Sequence, residues 1–155
     1  MPEIQLSKVD AKDVCRLIVK DASTVKANSS IDDILKKMIE NLNTRHVYVV
    51  DNNSKLLGSI KFSNLIIHMF PFSSIGHKIE LNREGLINYK KSLIAMDLMN
   101  TKPTFAKEND KLPYIIQLMN EKNIGELPII NSSNQVIGEI NFMEIITYYL
   151  GQEKK

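Results

Sequence analysis

The chain has 155 residues, of which 43% are hydrophobic and 25% are charged, and its formal net charge is +2 at pH 7. These values are typical of a soluble globular protein and exclude a disordered or fibrous chain. Because the lysines are mixed with acidic residues, the basic surface of a nucleic-acid-binding protein is not expected. No membrane span is expected either, since the most tempting apolar run, Leu65 to Phe72, includes His68 and Pro71.

Cys15 is the single cysteine of the chain, and it lies in an apolar run. This setting favours a buried, unreactive thiol. One cysteine cannot form an internal disulfide, and the N-terminal stretch MPEIQLSKVDAKD lacks the apolar core of a secretory signal. We therefore expect a cytoplasmic protein.

An internal repeat organises the sequence. Residues 24–66 align with residues 104–146, with an offset of 81 residues that changes to 80 near Asn43 to Arg45. The alignment superposes residues of like character in the same order: Met38 on Met119, Asp51 on Asn131, Gly58 on Gly138 and Phe62 on Phe142. We call residues up to 70 copy one and residues 93–150 copy two.

The same elements are predicted in each copy. They are a short helix (residues 10–19 and 94–99), an extended segment, an amphipathic helix, a hairpin around a polar turn (DNNSK and NSSNQ), and a last helix (residues 62–70 and 142–150). Ser29 and Asp110 are the predicted N-caps of the amphipathic helices. Gly58 and Gly138 fall inside the second hairpin strands, where glycine marks a bulge or the close approach of a backbone or ligand.

This series of elements, occurring twice, resembles the CBS domain family, and GELPIINSSNQVIGEINFMEII is the more specific match. The resemblance implies an α+β fold, a tandem pair of β-α-β-β-α domains with pseudo-twofold symmetry, and a homodimer. It divides the chain into a first CBS domain with its N-terminal segment (1–70), an insert or linker (71–92), a second CBS domain (93–150) and a C-terminal tail (151–155).

The resemblance also implies that an adenine nucleotide or adenosyl ligand binds between the two copies, with AMP, ADP, ATP or S-adenosylmethionine as regulatory ligands. The usual motif is a glycine, two apolar residues, a Thr or Ser, two spacers and an Asp that binds the ribose. This sequence departs from it, with Lys61 and Asn64 in copy one and Asn141 and Glu144 in copy two. We hypothesise that Lys61 contacts phosphate and Asn64 the ribose, the alternative for Lys61 being a solvated lysine.

Asn141 and Glu144 also fit a helix capping box, which is an alternative to ribose binding by Glu144. Carried over residue by residue, the resemblance names further candidates on the strands and the helix start, of which the apolar ones are equally candidates for the core. The copy-one candidates are Thr24, Val25, Arg45, His46, Val47, Tyr48, Lys61, Ser63 and Asn64. The copy-two candidates are Thr104, Phe105, Leu127, Pro128, Asn141 and Glu144.

The sequence shows no catalytic motif and no metal-ligand spacing among its histidines, His46, His68 and His77. We therefore expect no enzymatic activity, no metal site and no required cofactor. The favoured function is a regulatory module that binds an adenine-containing molecule and signals to a partner protein. The alternative is a ligand-free module for dimerisation and protein interaction, with degenerate nucleotide motifs.

Overall fold

The computed structural model describes residues 5–69 and 92–153. Copy one forms β1 (Thr24–Lys26), α1 (Ile31–Glu40), β2 (His46–Val50), β3 (Leu56–Lys61) and α2 (Phe62–Met69). A short helix, α3 (Ala95–Leu98), precedes the elements of copy two, which are β4 (Ala106–Lys107), α4 (Leu112–Lys122), β5 (Glu126–Ile130), β6 (Val136–Asn141) and α5 (Phe142–Glu153). The predicted α+β fold and its β-α-β-β-α order in two repeats are confirmed.

Each repeat builds a three-stranded sheet with the order β1-β2-β3 or β4-β5-β6. The first pair of each sheet is parallel, with Thr24 opposite Tyr48 and Ala106 opposite Ile129. Strands β5 and β6 are antiparallel, and Glu126 lies opposite Asn141. Among the described residues, no helix is both long and apolar enough to cross a bilayer.

The two repeats bury matched residues in separate cores. The α1 residues Ile34 and Met38 are buried in one core, and their α4 counterparts Ile115 and Met119 are buried in the other. The hairpin strands contribute Val47, Val49 and Ile60 to the first core and Leu127, Ile129 and Ile140 to the second. The helical and strand periodicities that defined the repeat are therefore the periodicities of the two cores.

Both predicted N-caps are one residue too early. Helix α1 is capped by Ser30, whose hydroxyl accepts a hydrogen bond from the N–H of Asp33 at 3.2 Å. Hydrogen bonds from the Ser30 side chain and backbone lower the pKa of Asp33. Asp110 instead closes a turn by accepting the N–H of Lys107 at 2.8 Å, and α4 begins after Lys111 with a proline in its first turn.

The predicted short helix at residues 10–19 is wrong. That stretch contains a 3₁₀ helix at Ala11–Asp13 followed by turns. The apolar spacing was nevertheless informative, because Val14 and Cys15 are buried in the core of copy two. Burial also raises the pKa of the Cys15 thiol, which suits the unreactive cysteine expected from the sequence.

Packing divides the described residues into two compact units that differ from the two sequence copies. One unit contains residues 5–22, 52–56 and 103–153, and the other contains residues 23–51, 57–69 and 92–102. The first part of each copy thus joins the unit that contains the sheet of the other copy, and we call residues 5–22 and 92–102 the exchanged segments. The domain boundaries given above stay a prediction, and the predicted insert lies outside the described residues except for Ser92.

Equivalent backbone contacts attach the two exchanged segments. In one unit, the N–H of Ala11 donates to the carbonyl of Asp110 and the N–H of Leu112 donates to the carbonyl of Val9, both at 2.9 Å. In the other unit, the N–H of Ala95 donates to the carbonyl of Ser29 at 2.9 Å. Each segment therefore docks beside the start of an amphipathic helix.

Both strand glycines mark the close approach of an exchanged segment. A Cβ atom on Gly58 would lie 2.7 Å from the carbonyl oxygen of Asn100, and one on Gly138 would lie 2.9 Å from the Sγ of Cys15. These distances are too short for real Cβ contacts. The glycines thus allow the segments to pack against the second hairpin strands. Of the alternatives given by the sequence, this is the close approach of another part of the chain.

We expect Gly58→Ala to lower the free energy of unfolding by about 1–3 kcal/mol, because the new methyl group has no room beside Asn100. Gly151→Ala in α5 is the matched control, since no heavy atom lies within 4 Å of its Cβ position. That variant should be neutral or stabilising by up to about 1 kcal/mol. Urea unfolding measures both, and an unchanged midpoint for Gly58→Ala would contradict the close approach.

Candidate ligand-binding site

In copy one, strand alternation places a set of polar and aromatic residues opposite the core. Because Val47, Val49 and Ile60 enter the core, the neighbouring residues of β2 and β3 lie on the other sheet face. We call this set the copy-one face, and its members are His46, Tyr48, Ser59 and Lys61. Of the predicted ligand residues, Val25 and Val47 instead belong to the core.

The β2 part of the copy-one face carries two stacked rings. The rings of His46 and Tyr48 are nearly parallel, with 6.3 Å between their centroids. Tyr48 is buried and His46 is half-buried. Thr24 lies directly across from Tyr48 in the parallel β1–β2 pair. Three of the predicted ligand residues are therefore neighbours on one sheet: Thr24, His46 and Tyr48.

The remaining copy-one candidates surround the start of α2. Lys61 ends β3, and Ser63 and Asn64 lie in the first turn of α2. All three are exposed, as is Arg45. The carbonyl of Arg45 accepts the N–H of Phe62, the first residue of α2, at 2.8 Å. Lys61 thus lies at the N-terminus of a helix, where the dipole attracts anions, while the guanidinium of Arg45 donates to the carbonyl of Leu42 at 2.9 Å.

The equivalent residues of copy two are engaged in the fold. The Oδ1 of Asn141 accepts the N–H of Glu144 at 2.9 Å, as the N-cap residue of α5 would. Glu144 does not return a capping-box bond. Its fully buried carboxylate accepts the backbone N–H groups of Leu17, Ile18 and Val19 at 2.9, 3.1 and 2.9 Å.

This carboxylate explains why the end of the predicted helix, residues 17–19, is not helical. A side chain far along the sequence accepts three successive backbone N–H groups, and the chain there adopts turns that direct them toward it. Sequence periodicity carries no signal for such a contact. It requires the position of Glu144 in the folded chain.

The sheet face of copy two is acidic where the copy-one face is basic. Leu127, Ile129 and Ile140 enter the core, so alternate residues of β5 and β6 lie opposite it. We call this set the copy-two face, and its members are Glu126, Pro128, Glu139 and Asn141. The predicted candidate Leu127 is a core residue, whereas Thr104 is half-buried and Phe105 is exposed ahead of β4.

Two buried residues of the copy-two face, Glu126 and Glu139, were not among the predicted ligand residues. The signal was present in the repeat, since Glu126 aligns with His46 and Glu139 aligns with Ser59 at the offset of 80. A position-by-position comparison of the two copies would have shown that these two positions carry glutamate in copy two only.

Comparison with known families identifies the fold that carries these residues. The CBS domain family matches residues 11–70 and 94–151. The chain belongs to the CBS domain family. An uncharacterized protein of Methanocaldococcus jannaschii is 24% identical over 145 residues, which are 93% of this chain and 50% of that protein. The chain therefore spans about half the length of this curated relative.

Solved CBS structures share the fold. A CBS domain-containing protein of Thermotoga maritima is 27% identical, with a TM-score of 0.68 and coverage of 91% of this chain and 94% of that chain. CBSX2 of Arabidopsis thaliana is 20% identical, with a TM-score of 0.72 and coverage of 94% and 97%. CBSX2 has also been solved in complex with AMP.

A further CBS domain pair was solved in complex with 5′-methylthioadenosine and S-adenosyl-L-methionine. It is 22% identical to this chain, with a TM-score of 0.66, and covers 93% of this chain and 98% of its own. The similar structures therefore include complexes with adenine compounds that carry a phosphate and with others that do not.

We expect Glu144→Ala to lower the free energy of unfolding by about 3 kcal/mol or more, because hydrogen bonds to a charged group contribute about 1.5–3 kcal/mol each. Asn64→Ala, at the matched and exposed position of copy one, should change it by less than about 0.5 kcal/mol. Chemical denaturation measures both values. Amide hydrogen exchange at Leu17, Ile18 and Val19 should accelerate in Glu144→Ala only, and unchanged exchange would show that the carboxylate is dispensable.

Proposed function

We propose that this CBS pair is a regulatory module that binds an adenine nucleotide or adenosyl compound and signals its occupancy to a partner protein. The main support for this proposal is the cluster at the start of α2, where Arg45, Lys61 and Asn64 are exposed around a helix N-terminus. The role is binding rather than catalysis. The cytoplasmic location expected from the sequence is part of the same proposal.

The charges at this cluster suit a phosphate. A lysine at a helix N-terminus is mildly unfavourable beside the positive end of the dipole. A bound anion resolves that mismatch, because it pairs with Lys61 and accepts hydrogen bonds from N–H groups of the first turn of α2 that follow Phe62, whose own N–H is donated to the carbonyl of Arg45. Lys61 would bind such an anion through a charge-assisted hydrogen bond, and hydrogen bonds of this kind are the stronger ones.

The neighbouring residues suit the rest of a nucleotide. Asn64 has an amide that both donates and accepts, so it can bind ribose hydroxyls in place of the usual carboxylate. Thr24 and the half-buried ring of His46 lie on the sheet beside this helix start and offer a polar group and a flat surface to a base. AMP in CBSX2 supports a nucleotide as the ligand class.

We expect AMP or ATP to stabilise the purified protein against thermal unfolding, since a ligand at 100 times its Kd adds about 2.7 kcal/mol. Lys61→Ala and Asn64→Ala should remove this stabilisation while the ligand-free melting temperature stays unchanged. Lys36→Ala, which removes an exposed lysine of α1 in the same unit, should retain it.

The panel should contain AMP, ADP, ATP, S-adenosylmethionine and 5′-methylthioadenosine. Stabilisation that survives in both Lys61→Ala and Asn64→Ala would contradict the copy-one site. A flat response to every compound would contradict ligand sensing altogether.

We also infer that the chain forms a homodimer through the helices of copy one. Apolar side chains are exposed near the end of α1, in the loop after it and on α2, with Ile39 69%, Leu42 75% and Ile67 60% exposed. They enclose an open cavity of about 580 Å³ lined by Leu35, Met38, Ile39, Leu42, Thr44, Arg45, Phe62, Ile66 and Met69. Contiguous apolar surface of this kind marks an interaction site.

We expect Ile39→Asp to weaken the dimer at least about tenfold, a change of 1.4 kcal/mol, because it buries a charge at an apolar contact. Lys36→Asp is the control, since it introduces an aspartate at an exposed position of α1 outside the apolar surface. It should leave the dimer intact. Light scattering coupled to size exclusion measures the mass of each variant. A wild-type chain that stays monomeric at all concentrations would contradict the homodimer.

The same apolar surface supports the alternative function, a dimerisation and protein-interaction module without a ligand. The two functions are separable, because the ligand panel tests copy-one polar residues and the mass measurement tests Ile39. A dimer that binds no adenine compound would favour the alternative.

A further inference from the structure

Helix α5 is apolar on two sides, and only one of them faces the core. Ile145 and Tyr148 pack against the core of copy two. Within residues 142–151, all of which the structure describes, Glu144 is the only charged residue, and it is buried. The outer side carries four large apolar residues that are between 46% and 57% exposed, which we call the α5 ridge: Phe142, Met143, Ile146 and Leu150. A helix that is apolar on all sides is typical of a buried position, so the ridge indicates a contact surface.

The open cavity formed by α1, α2 and the loop after α1, which we call the copy-one cavity, suits apolar side chains. Only two of its nine lining residues are polar. The hydroxyl of Thr44 donates to the carbonyl of His46 at 3.0 Å, and the guanidinium of Arg45 donates to the carbonyl of Leu42 at 2.9 Å. The cavity volume of about 580 Å³ is many times the roughly 30 Å³ of one water molecule. An apolar space of this size gains contacts when side chains fill it.

The ridge and the cavity are not equivalent surfaces of the repeat. Leu42 beside the cavity aligns with Asn123 at the offset of 81, and Met143 on the ridge aligns with Ser63 at the offset of 80. Copy one thus adds an apolar side chain beside its cavity, while copy two adds one to its ridge. The apolar contact surfaces of the two copies therefore differ in place and in shape.

Packing density distinguishes the ways in which two chains can associate through these surfaces. Copy one against copy one would place two cavities face to face, and copy two against copy two would bring two ridges together. Copy one against copy two instead inserts the projecting residues of a ridge into a cavity. The cores of stable interfaces pack as densely as protein interiors, which favours the pairing of unlike surfaces.

We propose that the α5 ridge of one chain occupies the copy-one cavity of a second chain. This inference rests on the homodimer proposed above and adds which surfaces meet in it. In a twofold dimer the contact forms twice, because each chain supplies one ridge and one cavity and the symmetry makes every contact reciprocal. The helices of copy one are thus covered by copy two of the partner.

Cysteine crosslinking of the full chain tests which surfaces meet. Leu42→Cys places a thiol beside the cavity and Ile146→Cys places one on the ridge, while the buried Cys15 makes the wild-type chain a control that should not link. A short bismaleimide should link the two variants only when they are mixed. One variant is ¹⁵N-labelled, so that mass spectrometry identifies the mixed pair.

Two further samples support the crosslinking test. Ile39→Cys with Met143→Cys repeats it at a second position of each surface, and both positions are exposed, so the cores stay intact. Lys36→Cys is the matched control, since Lys36 is exposed on α1 but does not line the cavity. It should not link to Ile146→Cys.

The outcomes separate this inference from the homodimer itself. Links within Leu42→Cys alone or Ile146→Cys alone would show that like surfaces meet, which overturns the inference and leaves the homodimer standing. A wild-type dimer in which neither mixed pair links would overturn it as well. A wild-type chain that light scattering finds monomeric at every concentration would overturn both.

Discussion

Alternation of side chains along the hairpin strands is the constraint on which both the core and the candidate site depend. Val47, Val49 and Ile60 are buried beneath α1 and α2, and this burial fixes the register of the sheet in copy one. The residues between them are then carried to the opposite face. A slip of one residue would exchange the two sets, so the same apolar packing that stabilises the unit also positions His46, Tyr48 and Lys61.

The exchanged segments add a second constraint. Each compact unit contains the sheet of one copy and the exchanged segment of the other copy. Each exchanged segment packs against a glycine of the second hairpin strand. In the unit of copy two, Glu144 also accepts three N–H groups of that segment. Neither repeat is therefore a continuous folding unit, and a cut between the copies would remove packing from both.

The two copies have kept one backbone and diverged in the chemistry of matched positions. Lys61 and Asn64 are exposed at the start of α2, while their counterparts Asn141 and Glu144 are buried at the start of α5. Matched core positions keep apolar side chains in both copies, whereas the opposite sheet face carries different polar residues in each copy.

The sequence by itself determined the repeat, the order of the elements, the family and most core positions, because apolar periodicity is a local pattern that survives in each copy. It also named Lys61 and Asn64 as candidate ligand residues by comparison with the usual motif. Caps were misplaced by one residue, since Ser29 and Ser30 are locally equivalent and only the direction of the chain selects between them. The tertiary structure alone decided which segment completes which unit and that Glu144 holds residues 17–19 instead of closing a capping box. Those outcomes depend on contacts between residues far apart in the sequence, such as Leu17 and Glu144 at a separation of 127 positions. Such contacts form through the packing of the whole unit rather than through any local pattern.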